Sequence, residues 1–438
     1  MTLAFRVKLL FIGGFIVESS LLKSSYELPR KRALLLALDD WAAPYHLCRN
    51  LVDVGFDLRA IFPSTSVLSQ TRFLPRGGCL SPLQKLCSVT LAAENRFGKP
   101  ALLRKVGAFA TRRLAVRLLA LAEQWTPDII IPLDDRAIRL CRDLIAGRGG
   151  RLPPSVTALL IRSVGDPVTL DQRLSRAGNC DAARGAGVRT PLQISVTDQQ
   201  TARRFAHDVG YPIVAKAEHS AGGVGITICR DEKALFEALR GSLFKSRMGR
   251  LSSLLTRWFR PRHTANRQYI LQQFVVGVPT MREVFCWEGR VVAGFSLAKM
   301  QSATATGAAS VVRTIDNAGM ERATAGLVEA LGLTGFADVD FIVDKDGAAL
   351  CIELNARPTG LTHLGTRFGC SLERALHAML TGDAFVAPPP PIVDETVAIF
   401  PKEWFRDPNS EALKSAYHDV PWDDPKIINY YAAKQPIA

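Results

Sequence analysis

DVDFIVDKDGAALCIELN, residues 338–355, is the stretch that decides how the rest of the chain reads. Alternation puts 339–343 on one strand and 348–355 on a returning strand, with Asp346-Gly347 as the turn between them. If Val343 pairs with Ala348, then Val339, Phe341, Val343, Leu350, Ile352 and Leu354 point one way and form a core face. The opposite face then carries Asp338, Asp340, Glu353 and Asn355, with Arg357 just beyond. Hard oxygen donors gathered on one face suit Mg2+ held beside phosphate, which makes Asp340, Glu353 and Asn355 the candidate metal ligands. A surface hairpin with ordinary solvated charges is the plain alternative.

Upstream, 211–216 reads as a strand ending in Lys216, followed by a glycine-rich turn from His219 to Gly225 and a second strand over 226–229. Glycines 222, 223 and 225 would let backbone N–H groups approach a polyphosphate, and Lys216 would supply a point charge. A tight hairpin explains the same glycines without any ligand. His219 has no partner at metal-ligand spacing. Residues 269–276 form an apolar strand interrupted by Gln272 and Gln273, and 283–299 alternates as a hairpin around Gly289-Arg290. Lys299 and Arg313 then bracket a small polar segment, 301–310, where they either meet substrate or are loop charges in solvent.

This order resembles the ATP-grasp superfamily: Lys216, a glycine turn, an apolar run with a polar hinge, then a hairpin closing Glu353-Leu-Asn355-Ala-Arg357. The resemblance covers roughly residues 33–385, and its most specific part is the E-x-N-x-R end with its upstream aspartate. It implies an α/β fold with an α+β lid, preceded by a Rossmann-like domain, and it implies ATP with Mg2+, or Mn2+ in its place. Arg176 stands where the family usually has a phosphate-binding lysine; the charge is kept, but the planar fork differs from an ammonium. By the same resemblance, Ser220 and the loop glycines cover the phosphates, and Gln272, Gln273, Phe274 and Val275 form the hinge that reads adenine. Glu283 is the available carboxylate for the ribose, at a longer spacing than usual. Lys299 and Arg313 would face substrate, and Arg357 would stabilise charge on the transferred phosphoryl group.

The implied chemistry is ADP-forming ligation of a carboxylate to an amine, or less often a thiol. Carbamoyl-phosphate or biotin-dependent carboxylation is the alternative inside the same family, and no biotin-acceptor segment or second module of this kind is seen in the sequence. A non-catalytic ATP-binding basic interaction protein is the alternative outside it.

The composition is that of a globular chain: 438 residues, 47% hydrophobic and 22% charged. A net charge of +14 invites a nucleic-acid reading. No nucleic-acid motif accompanies it, and an ATP enzyme needs local positive charge in any case, so nucleic acid is not expected as a partner. Nine cysteines without a C-x-x-C pair suggest neither a zinc cage nor a disulfide framework, and a cytoplasmic setting is expected. Residues 1–32 imitate the basic and apolar parts of a signal peptide without a cleavage site, and read as an extension ahead of the first domain.

The expected organisation is this extension; 33–170, Rossmann-like; 171–276, a linker helix and the lid; 277–386, the metal-bearing domain; and 387–438, a proline-rich linker with an aromatic tail that packs back. The segment 243–267 is basic throughout, with an apolar helical stripe. It reads as a lid helix or as a peripheral contact with an anionic surface. Small-molecule acid and amine substrates are the expected partners, and self-association is left open.

Overall fold

The computed structural model describes residues 30–39, 45–75, 79–80, 101–148, 150–218, 225–243, 269–304, 306–383 and 391–434. Most of the N-terminal extension, the glycine turn from His219 through Gly223 with Ser220 and Gly222, the basic segment 244–267 and residues 384–390 lie outside these. No helix among the described residues is long and apolar enough to cross a membrane.

Three sheets are formed. The first contains β1 (Lys31–Leu36), β2 (Phe56–Pro63), β3 (Cys79–Leu80) and β4 (Ile129–Pro132), in the order β3-β2-β1-β4 with every pair parallel. A parallel sheet is covered on both faces, so its strands are apolar without alternation. Ala33 and Leu35 accordingly enter one core cluster while Leu34 and Leu36 enter another.

The second sheet is antiparallel: β5 (Gln193–Ser195), β6 (Ile213–Ala217), β7 (Ile226–Cys229) and β8 (Tyr269–Gln273), ordered β5-β8-β6-β7. Its helices, Gln199–Val209 and Glu232–Leu243, pack Ala202, Phe205, Leu235 and Leu239 on Ile213, Ala215 and Leu271. Alternation turns Val214 and Lys216 to the other face, which is the wall of a cleft.

The third sheet has seven strands: β9 (Val278–Trp287), β10 (Arg290–Ser302), β11 (Ala309–Ile315), β12 (Gly335–Val343), β13 (Ala349–Asn355), β14 (Thr396–Ala398) and β15 (Tyr417–His418). Their order is β13-β12-β9-β10-β11-β14-β15. The helix Ala318–Ala330 buries Met320, Leu327 and Val328 against Val339, Phe341 and Cys351 on one face. The C-terminal tail supplies the last two strands. Tyr431 is buried in the main core cluster, with Trp404 and Tyr430 packed against it, whereas Trp422 is exposed.

The hairpin β12–β13 differs from the expected register in one decisive respect. Val343 pairs with Ala349 rather than Ala348, and Phe341 pairs with Cys351, but Asp340 pairs with Glu353 and Asp338 with Asn355. Ile352 is the extra residue of a β-bulge, and it reverses the facing of everything after it. Core contacts therefore come from Ala349, Cys351 and Leu354, while Leu350 and Ile352, expected in the core, are only half-buried. A regular ladder from the observed turn would have sent Glu353 and Asn355 to the face opposite Asp340. The bulge brings all four polar residues to one side.

Candidate active site

A cleft of about 430 Å3 lies between the four-stranded antiparallel sheet and the seven-stranded sheet. One wall presents Val214, Lys216, Ile226 and Ile228, and the floor presents Met281, Lys299, Asp338, Asp340, Ile342, Ile352, Glu353 and Asn355. The chain crosses between the sheets at Gln272, Gln273, Phe274 and Val275, all of which line the cleft. Gly277 follows at a close approach: a Cβ there would stand 2.4 Å from the Val343 carbonyl oxygen and 2.7 Å from Ile342 Cγ2. Only glycine fits, so the crossing is pressed against the end of the β12–β13 hairpin.

On the hairpin, Asn355 Nδ2 donates to Asp338 Oδ2 at 3.1 Å and to Asp340 Oδ2 at 3.4 Å. Asp338 Oδ1 is buried without any hydrogen-bond partner. Burial, then the neighbouring carboxylates Asp340 and Glu283, push the Asp338 carboxyl well above its ordinary range. Burial and Glu353 push Asp340 up to about 7. Crowded buried carboxyls with an orphaned oxygen are costly as they stand, and a hard dication is the partner that would satisfy them. Asp338, which faces the cleft with its neighbours, thus joins Asp340, Glu353 and Asn355 as a candidate donor.

Cations surround this face. Lys216 is buried, and its Nζ lies 3.3 Å from the Ile352 carbonyl, an acceptor at the bulged residue. Burial lowers its pKa, against the opposing pull of Glu353. Arg176 opens the helix Arg176–Gly185, whose N-cap Ser175 accepts from the Gly178 N–H. From there Arg176 Nε reaches Glu353 Oε1 at 3.0 Å and its NH1 reaches the Ala217 carbonyl at 2.5 Å. Lys299 Nζ donates to the Gly307 carbonyl at 2.9 Å, which ties it to the loop bearing Thr306 and Ala308. Gly225, at φ +76°, accepts from Ala217 N through its backbone carbonyl.

Two expected site residues fall elsewhere. Arg313 pairs across from Ala298, so it occupies the face opposite Lys299, where it is exposed and donates to Thr396 Oγ1 at 3.2 Å. Adjacent strand residues cannot both enter the cleft, and Lys299 pairs with Val312 instead. Glu283 does not line the cleft near the hinge. It sits fully buried across from Asp338, its oxygens accepting from Thr359 and, at 2.7 Å, from Thr362. Burial pushes its carboxyl up to about 7. Its place is next to Asp338 on the carboxylate face, away from the hinge.

Two further residues escaped the sequence reading. Asp135, at the first turn of the helix after β4, lines the cleft and accepts from Arg357 Nε at 2.8 Å. Its signal was its place at the carboxyl end of a parallel strand, where α/β sites collect. Lys402, from the tail, also lines the cleft, with its Nζ 3.6 Å from where a Gly360 Cβ would be. Nothing local in the sequence points the tail inward.

Residues 177–268 match the sequence model of the ATP-binding domain of the carbamoyl-phosphate synthase L chain. The chain is 34% identical over 113 residues to a biotin carboxylase from Pseudomonas aeruginosa, a match spanning 24% of this chain and 23% of that protein. The biotin carboxylase domain of the 2-oxoglutarate carboxylase of Hydrogenobacter thermophilus superposes with a TM-score of 0.55 at 16% identity, covering 83% of this chain and 72% of that one. Carboxyaminoimidazole ribonucleotide synthase from Aspergillus clavatus gives a TM-score of 0.54 at 11% identity, covering 82% and 78%. The two-sheet cleft and its bulged carboxylate hairpin agree with these likenesses, and the chain has an ATP-grasp fold.

Proposed function

We propose that this chain is an ATP- and Mg2+-dependent ligase that activates a carboxylate as an acyl phosphate for capture by an amine, releasing ADP and phosphate. The observation that carries the proposal is the arrangement within one cleft: Asp338, Asp340, Glu353 and Asn355 face Lys216 and Arg176 across the space between the sheets. The solved relatives support the same ligands, since the 2-oxoglutarate carboxylase domain is described in complex with MgADP and bicarbonate and the ribonucleotide synthase in complex with ATP.

In this reading Gln272 to Val275 hold the adenine edge, and the apolar walls from Val214, Ile228 and Ile342 sandwich the base. Lys216 and Arg176 hold the inner phosphates. Asp338, Asp340, Glu353 and Asn355 would hold Mg2+, or Mn2+. Bound there, the ion would neutralise phosphate charge. Arg357 is fixed by Asp135 and Asn355 with its remaining charge toward the transferring phosphoryl group, and Lys299 and Lys402 orient the acid. The acid's oxygen bonds to the γ-phosphorus as ADP leaves. The amine then attacks the carbonyl carbon, loses a proton, and phosphate departs with one oxygen of the acid.

A panel of acids and amines screened for stimulated ADP release identifies the pair, and an acid labelled with heavy oxygen tests the route. Labelled phosphate together with ADP is the expected result; AMP, or unlabelled phosphate, overturns it. The carbamoyl-phosphate synthase and biotin carboxylase likenesses favour bicarbonate as a second reading of the acid. ADP release stimulated by bicarbonate and by no organic acid would select it.

A further inference from the structure

Away from the residues that line the cleft, three side chains from distant parts of the chain meet at one point. His46 comes from the helix Tyr45–Asp53, His363 from the single turn Thr362–Thr366 beyond the hairpin, and Asp419 from the segment after β15. His363 Nε2 lies 3.1 Å from Asp419 Oδ2, and His46 Nε2 lies 3.9 Å from the same oxygen. The imidazole rings stack with centroids 4.2 Å apart. One donor atom from each residue falls within 4.8 Å of the others. The second oxygen of Asp419 accepts from the Phe400 backbone N–H, which fixes the carboxylate and leaves Oδ2 turned to the imidazoles.

Hydrogen bonding alone leaves this cluster unsatisfied. His46 Nε2 is buried with no hydrogen-bond partner, 3.9 Å from Asp419 Oδ2. A neutral imidazole nitrogen without a proton is a lone pair, and a lone pair facing a carboxylate oxygen repels it. A metal ion between them would turn both into ligands once one of the stacked rings, now at 16° to the other, rotates its nitrogen lone pair onto the ion. Donors about 2.1 Å from a tetrahedral ion are about 3.4 Å from one another, a spacing the 3.1 Å and 3.9 Å separations bracket.

We propose that His46, His363 and Asp419 form a site for a divalent transition metal of the zinc type, separate from the Mg2+ face of the cleft. Two imidazoles and one carboxylate are the donor set zinc takes, and they leave a fourth position for water. The ion would staple the tail and the N-terminal α/β unit to the turn that follows the hairpin. Lys402 opposes it: its charge is felt at His363, and is itself offset by Asp419 and Glu283. Removing that charge should tighten metal binding.

The experiment uses the full-length chain carrying Asp340→Asn and Glu353→Gln, so that the cleft carboxylates do not confuse the count. The protein is stripped with chelator, incubated with Zn2+ alone, desalted, and its zinc measured by plasma mass spectrometry. About one equivalent retained per chain is expected, with visible bands characteristic of low-symmetry coordination when Co2+ replaces zinc. His46→Gln, at the most accessible of the three residues, should weaken zinc affinity by about 10- to 100-fold with an unchanged circular dichroism spectrum. Lys402→Gln should strengthen it. No zinc retained by the parent, or equal retention by the parent and folded His46→Gln, overturns the proposal.

Discussion

Arg357 Nε donates to Asp135 Oδ1 at 2.8 Å while its NH2 reaches Asn355 Oδ1 at 3.1 Å, so one guanidinium joins the parallel-sheet unit to the carboxylate hairpin. Burial would raise the Asp135 carboxyl, but the Arg357 charge and hydrogen bond, with the charges of Arg139 and Arg176, together outweigh it and hold it below its usual range. The guanidinium itself is almost fully buried, whereas the Asp135 side chain is 46% exposed.

Asp135→Ala should therefore leave the fold intact at a cost of about 1 kcal/mol, since water can partly replace a half-exposed carboxylate. Its larger effect should be on turnover, because Arg357 loses the group that aims it. A fall of about 10- to 100-fold in acid-stimulated ADP release is expected, with MgADP affinity changed less than threefold or so. Unchanged turnover would show that Arg357 is positioned by Asn355 alone.

Nucleotide binding should strengthen as pH rises. Burial, followed by Glu353, puts Asp340 at about 7, and burial puts Glu283 at about 7. Below that range the carboxyls hold protons that a cation must displace; above it they are ionised and ready. Calorimetric titration with MgADP from about pH 6 to about pH 8 should show rising affinity with proton release that shrinks toward the alkaline end. Asp340→Asn should flatten the profile. Affinity that falls over this range would contradict metal binding at the hairpin.

Lys299 and Arg313 give a paired test of the sheet register. Lys299 lines the cleft, while Arg313 lies on the other face. Lys299→Ala should raise the acid's KM by about tenfold or more, the scale of one lost charged contact. Arg313→Ala should leave both kinetic constants near their starting values. Equal effects would mean that the substrate reaches both faces.

Gly277→Ala should push the hinge off the hairpin, because the added carbon meets the Val343 carbonyl at 2.4 Å. Overpacking of this kind costs about 1–3 kcal/mol. Thermal unfolding should register the loss, and MgADP binding should weaken alongside it, as Gln273 to Val275 move. A normal melting temperature would show that the backbone yields freely there.

Glu373 offers a stability test remote from the cleft. It is fully buried, and accepts from Asn50 Nδ2 at 3.1 Å and Ser371 Oγ at 3.1 Å. Burial pushes its carboxyl up to about 7, above its value of 4.5 in an unfolded chain. The folded state then holds the proton more tightly, so stability falls as pH rises from about 4.5 through about 7, by on the order of 3 kcal/mol at most. Glu373→Gln keeps the acceptor for Asn50 and removes the ionisation. Its melting temperature should exceed that of the parent near pH 8 and match it near pH 5; the reverse order would place the charged form, not the neutral one, in the folded protein.

The sequence by itself determined the elements and much of the chemistry. Apolar runs at 33–36 and 129–131 make parallel strands because burial on both faces removes alternation, and Ser175 caps the helix that carries Arg176. Asp338, Asp340, Glu353 and Asn355 were legible as a set because strand residues two apart share a face. Tertiary structure alone decided how they came together. Side-chain facing depends on parity, and one bulged residue, Ile352, inverts it, so the correct face was reached through an incorrect register. The same parity removed Arg313 from the cleft. Glu283 is held beside Asp338 by Thr359 and Thr362, which lie more than 70 residues away. Asp135 and Lys402 entered the site from opposite ends of the fold. Local periodicity encodes which way a side chain turns from its own strand, but contacts between distant segments depend on how the sheets pack, and no short stretch of sequence carries that information.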